Sequence, residues 1–187
     1  MNKIGAHNAA TGERGCFWSW PLTPFARCQS KTLVELYDAG VRLFDIRVRL
    51  HKDGKLYIHH GPWRSRDEVY KVLLPLLARL KPGEAERDPV YFELTYEGRE
   101  VTYEAFAAMT WLKHQLVCHG RAVVTRINRK VPWEAIETYY PLAYDGDGVG
   151  FKGIHGWRCL LPIPWLWAKI HGRVEFNDKT FIYSDFV

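Results

Sequence analysis

The sequence predicts an α/β fold: a compact, distorted (β/α) barrel of the TIM type with some crossover helices missing. Three observations lead there. Apolar segments of strand length alternate along the chain with helical patterns, which favours a largely parallel sheet. No linker, repeat or low-complexity run divides the 187 residues, so 1–187 reads as a single domain. A closed eight-stranded barrel typically uses about 250 residues, so a barrel here must omit some of its helices. An open sheet is the alternative.

The elements follow in order. Residues 3–8 predict a short first strand, and residues 11–30 a loop rich in Gly, Pro and aromatics. Residues 32–39 predict a helix with Leu33, Leu36 and Tyr37 on one face, Ser30 as N-cap and Gly40 as stop. Residues 41–50 and 55–60 predict two strands joined by an Asp53-Gly54 turn. Residues 66–80 predict a longer helix with an apolar stripe of Val69, Val72, Leu73, Leu76, Leu77 and Leu80. Pro75 should bend it, and Pro82-Gly83 should end it. Residues 90–96 predict a strand, 102–119 an amphipathic helix between a Thr102 N-cap and Gly120, and 122–127 another strand. Beyond these, 138–144 reads as a strand, 145–153 as a loop, part of 157–171 as helix and 181–185 as a final strand.

Composition bounds the function. A hydrophobic fraction of 47% and a charged fraction of 25% are ordinary for a globular domain. The net charge of +5 favours anionic partners such as phosphate groups, acidic lipid surfaces or nucleic acid and selects none of them, since the cations form no single block; the overall expectation is no nucleic-acid partner. The four cysteines, Cys16, Cys28, Cys118 and Cys159, have no zinc-type spacing and read as free thiols in a reducing compartment, with a Cys16–Cys28 disulfide as the alternative. The apolar run 159–170 holds Pro162, Pro164 and Lys169 and is too short and broken to span a bilayer. No cationic start followed by an apolar run is present, so a secretory leader is not expected and the location is left as cytoplasmic or undetermined. Eight tryptophans cluster partly at Trp18 and Trp20 and at Trp157, Trp165 and Trp167. They read as packing residues, with peripheral membrane contact as the sharper reading.

The chemistry concentrates at strand ends. The first strand ends in Gly5-Ala6-His7-Asn8, and the second carries Asp45-Ile46-Arg47. The third ends in His59-His60-Gly61-Pro62, and the last in Ser184-Asp185. Strand alternation puts Leu43, Asp45, Arg47 and Arg49 on one face. A carboxylate, fixed cations and titratable imidazoles together suit phosphoryl chemistry. His59 reads as a strand residue facing a helix. His51, His114, His119, His155 and His171 read as surface or packing residues. Asp145 and Asp147 lack the further ligands of a calcium loop and read as a turn.

These residues resemble the bacterial phosphatidylinositol-specific phospholipases C. The likeness lies in Gly-x-His after the first strand, residues 39–47, Asp53-Gly54-Lys55-Leu56 and His59-His60-Gly61-Pro62. It covers residues 3–62 and returns at 181–187. The resemblance implies His7 as the general base toward an inositol 2-hydroxyl and His60 as the general acid toward the leaving oxygen. It implies Asp185 as the carboxylate that fixes His7, Arg47 as the phosphate clamp and Asp45 as its support. Arg126 would contact inositol hydroxyls. Asn8 stands where the family has an aspartate that supports the general acid.

Related metal-dependent phosphodiesterases resemble one another in a Glu-x-Asp pair at this strand, where this chain has Asp45-x-Arg47. A guanidinium there supplies the charge a metal would bring and repels a cation. The expectation is an enzyme without metal or other cofactor, acting on a phospholipid or another phosphodiester. The alternatives are a glycerophosphodiester-type phosphodiesterase and a non-catalytic module that binds anionic headgroups.

Overall fold

The computed structural model describes residues 4–80, 88, 90–118, 122–126, 137–138, 149–150 and 181–184. Its strands are β1 (Ile4–Ala6), β2 (Val41–Leu50), β3 (Leu56–His60), β4 (Trp63–Glu68), β5 (Tyr91–Tyr96), β6 (Ala122–Arg126), β7 (Glu137–Thr138), β8 (Val149–Gly150) and β9 (Phe181–Ser184). Its α-helices are α1 (Thr23–Ala26), α2 (Leu33–Asp38), α3 (Val69–Arg79) and α4 (Tyr103–Cys118). The parallel part of the sheet runs β6-β5-β2-β1-β9-β8. β7 adds antiparallel to β6, and β3 and β4 form antiparallel hairpins off β2. The result is a mixed α/β fold whose sheet curls as half a barrel. Among the described residues no pairing joins β7 to β8, so the strands form the curled sheet expected of a distorted barrel without showing its closure.

Alternation along β2 and β5 divides the molecule into two faces. Phe44, Ile46 and Val48 with Phe92 and Leu94 point into an apolar core built with Leu33, Leu36, Leu73, Leu76, Leu112 and Leu116 from the helices. Phe44 and Phe92 stack with ring centroids 5.7 Å apart. The other face carries Asp45, Glu93 and Thr95, all buried, because partners in register share a face: Asp45 opposes Glu93, and Arg47 opposes Thr95. Burying those polar groups requires partners, and the candidate site is where they find them.

Several boundaries differ from the sequence expectation. α2 is capped by Thr32, not Ser30. Thr32 Oγ1 accepts from Glu35 N, and Glu35 Oε2 accepts from Thr32 N at 2.7 Å, a reciprocal capping box. Gly40 ends the helix as expected, at φ 96°. The 66–80 helix is shorter. Residues 63–68 are strand, with Trp63 and Ser65 buried in alternation, and the helical stripe begins only at Val69. α3 runs through Pro75, which removes one internal hydrogen bond. The 11–30 loop contains 3-10 turns at Ala9–Gly12 and Phe17–Leu22 as well as α1. Val149–Gly150, inside the predicted 145–153 loop, pairs with β9. The expected Pro82-Gly83 stop and the 157–171 helix lie outside the described residues. No described helix is long and apolar enough to cross a membrane.

Candidate active site

His7 and Asn8 follow β1 directly, and β1 lies beside β2, so both residues arrive next to Asp45. His60 arrives by a different route. β3 returns antiparallel to β2, with Ile58 opposite Val48, and this brings the strand's last residue back toward Arg47. A hairpin and a parallel neighbour thus deliver two imidazoles to one place. Their ring centroids are 6.4 Å apart with planes at 87°.

Around His7 the partners are charged. Asp45 Oδ2 accepts from the backbone N of Asn8 at 3.0 Å, tying the end of β1 to β2. Both oxygens of Asp45 accept from Arg47 Nε, at 2.9 and 3.2 Å, and Oδ2 also lies 2.9 Å from Arg47 Nη2. The i, i+2 spacing on a strand makes this pairing possible within one element. Arg47 Nη2 also donates to His7 Nε2 at 2.6 Å. A guanidinium has donors only, so His7 Nε2 carries no proton in this arrangement. Glu97 Oε1 accepts from Arg47 Nη1 at 3.4 Å. Burial opposes the charge on Arg47, but the Asp45 and Glu97 carboxylates outweigh it and hold its pKa above the ordinary value.

Three neutral groups lie against His60. The Ala26 carbonyl accepts from His60 Nδ1 at 2.6 Å, so the Nδ1 proton is fixed and Nε2 faces Asn8. Asn8 Nδ2 lies 3.4 Å from His60 Nε2, 3.2 and 3.3 Å from the two ring nitrogens of His7, and 3.4 Å from Cys28 Sγ. The carboxamide therefore sits between the two imidazoles. Its Oδ1 is buried without a hydrogen bond. Asn8 is left-handed at φ 45°, a conformation that Asn and Asp tolerate better than most side chains. Thr11 straps the surrounding loop: its Oγ1 donates to Asn8 O at 2.8 Å and accepts from Cys28 N and Gln29 N. Gln29 Nε2 donates to His7 O at 3.1 Å.

Of the residues expected from sequence, the structure brings together His7, Asn8, Asp45, Arg47 and His60. Asp185 lies outside the described residues, although Ser184 pairs with Ala6 beside His7. Arg126 is placed by register alone, opposite Thr95, which itself opposes Arg47. Sequence reasoning missed Ala26, Cys28, Gln29 and Glu97. Glu97 continues the face of Glu93 and Thr95 at period two, a signal that was available. The Ala26 contribution is a backbone carbonyl, which leaves no mark in the sequence. His59, read from sequence as facing a helix, has a polar partner instead of a purely packing role. It is buried against His51, with the rings stacked 4.9 Å apart and the Nε2 atoms 2.6 Å apart.

No family model matches the chain, and no curated protein matches it by sequence. Solved structures do match. Among them are bacterial phosphatidylinositol-specific phospholipases C. The Listeria monocytogenes structure matches with a TM-score of 0.46 and 19% identity, over 62% of this chain and 39% of that one. A mutant of the Staphylococcus aureus enzyme matches with a TM-score of 0.48 and 21% identity, over 69% of this chain and 48% of that one. The chain thus spans less than half the length of these neighbours.

Proposed function

We propose that the protein is a metal-independent phosphodiesterase of the phosphatidylinositol-specific phospholipase C kind. The observation that carries this reading is the guanidinium of Arg47, locked to Asp45 and donating at 2.6 Å to one of two imidazoles whose centroids are 6.4 Å apart. A phosphate oxygen accepting from Arg47 Nη2 would draw that donor away from His7 Nε2 and release its lone pair. The released lone pair would take the proton of the inositol 2-hydroxyl as its oxygen attacks phosphorus. Arg47 would stabilise the charge growing on the non-bridging oxygen. His60, protonated, would pass its Nε2 proton to the departing diacylglycerol oxygen, yielding a cyclic phosphodiester. The roles could reverse for hydrolysis of that ring.

Several finer assignments belong to the same proposal. The Asp45 carboxylate is already engaged by a guanidinium, which argues for electrostatic catalysis by Arg47 in place of a metal. Asp185 is proposed as the acceptor for His7 Nδ1, and Arg126 as a contact for inositol hydroxyls. A closed barrel is likewise proposed. Phe17, Trp18 and Trp20 are 80%, 83% and 74% exposed in the segment that leads to Ala26 and His60, which supports contact with a lipid surface. The Trp157, Trp165 and Trp167 cluster lies outside the described residues.

Turnover of phosphatidylinositol by the native chain with chelator present is the test. The expected result is a cyclic inositol phosphate and its loss, by about 10²- to 10⁴-fold, in His7→Ala. No turnover of any phosphodiester, or undiminished turnover in His7→Ala, would overturn the reading. Activity appearing only with added calcium or magnesium would overturn metal independence. The orientation of Asn8, with Nδ2 toward His60 Nε2, favours a second reading: a headgroup-binding module whose acid is disabled. That reading expects saturable binding of inositol phosphate with no turnover.

A further inference from the structure

Behind the site, on the β2–β3–β4 hairpins, lies a polar cluster with no part in the proposed chemistry. His51 follows β2, His59 lies in β3 and Arg64 in β4. The hydrogen bonds among them have a single consistent direction. Arg64 Nη1 lies 3.3 Å from His51 Nδ1, and only the arginine can donate, so His51 keeps its proton on Nε2. His51 Nε2 then donates to His59 Nε2 at 2.6 Å. His59 therefore carries its proton on Nδ1, which points to the Gly61 carbonyl at 3.5 Å, the longest link. Gly61 follows His60 and holds φ 58°, a conformation that suits glycine. Its N–H donates to Glu97 Oε2 at 3.1 Å, and the other oxygen of Glu97 accepts from Arg47 Nη1. Arg49 Nη2 donates to Glu97 O at 3.1 Å and closes the loop back toward the histidines.

A cation does not explain the paired imidazoles. Two nitrogens bound tetrahedrally to one zinc ion at about 2.0–2.1 Å would lie roughly 3.3 Å apart. Here they are 2.6 Å apart, with Arg49 and Arg64 close by. A directed chain of donors and acceptors explains them without further groups.

We infer that His51, His59 and Glu97 are positioning residues, forming one relay that fixes the turn after His60 relative to the guanidinium of Arg47. This rests on the phosphodiesterase reading for its effect on turnover, though not for its structure. Glu97 holds the two halves of the site together, one oxygen to each. His59 holds the same glycine from behind. The relay needs both imidazoles neutral: a proton on His51 Nδ1 would face Arg64, and a proton on His59 Nε2 would face His51. The groups around the pair agree with this. His51 meets Arg64, Arg49, Asp53 and the Tyr57 ring. His59 meets Arg49, His51 and Arg64, and burial first, then Arg49, pushes it down to about 4. On the other side Glu97 meets Arg47.

The test uses the full chain. Long-range proton–nitrogen correlation spectra should show neutral His51 as the Nε2–H tautomer and neutral His59 as Nδ1–H. The Gly61 amide shift should titrate in part with the pair, and His59→Phe should remove that component of its titration. Glu97→Gln can no longer accept at both ends, so the Arg47 Nη1 and Gly61 amide resonances should both move. On phosphatidylinositol, kcat of Glu97→Gln should fall about tenfold while KM stays within about twofold and the fold is retained, the pattern of an interaction that matters only at the transition state. The opposite tautomers, a Gly61 amide indifferent to the pair, or unmoved Arg47 and Gly61 resonances in Glu97→Gln would overturn the relay. If those signals behave as expected while the native chain turns over no phosphodiester, the phosphodiesterase reading fails and the relay stands.

Discussion

The two imidazoles of the candidate site are neighbours held by opposite means. His7 belongs to a charged network: Arg47 donates to it, Asp45 grips Arg47 and Glu97 accepts from the same guanidinium. Around His60 stand the Ala26 carbonyl, the Asn8 carboxamide and the Cys28 thiol. The contrast follows from the elements that supply the partners. β2 and β5 place ionised side chains on one face at period two, and buried charges demand one another. The loop between β1 and α2 supplies backbone and neutral groups, which fix a ring's orientation. The structure thus orients both imidazoles, one through ionised side chains and the other through a carbonyl, a carboxamide and a thiol.

Breaking the charged half should have the largest effect. Arg47→Lys keeps the charge and loses the fork that reaches Asp45, Glu97 and His7 at once. A lysine ammonium is a point charge and cannot hold those three directions together. We expect kcat on phosphatidylinositol to fall by about 10²- to 10³-fold, the usual size for removing one transition-state donor, with a smaller change in KM. Steady-state kinetics with chelator present measure it. A loss under threefold would mean that charge alone suffices and that the geometry of the fork is incidental.

The charged half is also the half that the sequence made legible. Asp45 and Arg47 share a face by strand parity, and His60 follows from the Asp53-Gly54 turn that folds β3 back. The neutral half was harder to foresee. Ala26 acts through its carbonyl, and Cys28 and Gln29 act from a loop whose path no periodicity encodes. Glu97 was readable by parity with Glu93 and Thr95, but it stands one residue past the end of β5. β4 was hidden for another reason: Arg64, Arg66, Asp67 and Glu68 look like the solvated start of the helix that follows, while only Trp63 and Ser65 are buried. The capping box of Thr32 and Glu35 was present in the sequence and lost to Ser30, an equally good cap two residues earlier.

Adding charge to the neutral half should sharpen the contrast by removing it. Asn8→Asp suits the left-handed backbone and puts a carboxylate between the imidazoles. The new negative charge would favour the imidazolium of His60, so its pKa should rise and the alkaline limb of the kcat–pH profile should move to higher pH. We expect roughly one unit and a gain of about tenfold at the alkaline side, where each unit corresponds to about 1.4 kcal/mol. An unmoved alkaline limb would show that the Ala26 carbonyl, not residue 8, governs the proton on His60.

The smallest effect should come from the pair behind the site, and it is read from stability. His59 ordinarily titrates near 6.5; burial first, with Arg49 and then His51 and Arg64 adding to it, lowers it to about 4, while its contact with Gly61 works the other way. Between those values the unfolded chain binds a proton that the folded chain refuses. The stability this group contributes is therefore complete above about pH 6.5 and is lost as the pH falls toward 4. His59→Phe keeps a ring against His51 and removes the titration, so its melting temperature should depend less on pH across this window. Calorimetric scans at pH 7.5 and 5 should separate the two proteins by several degrees in that dependence, since about 1 kcal/mol shifts a chain of this size by roughly 2–4 °C. Parallel curves would mean that His59 gains its proton as readily in the folded chain as in the unfolded one, and that the paired imidazoles are not held neutral.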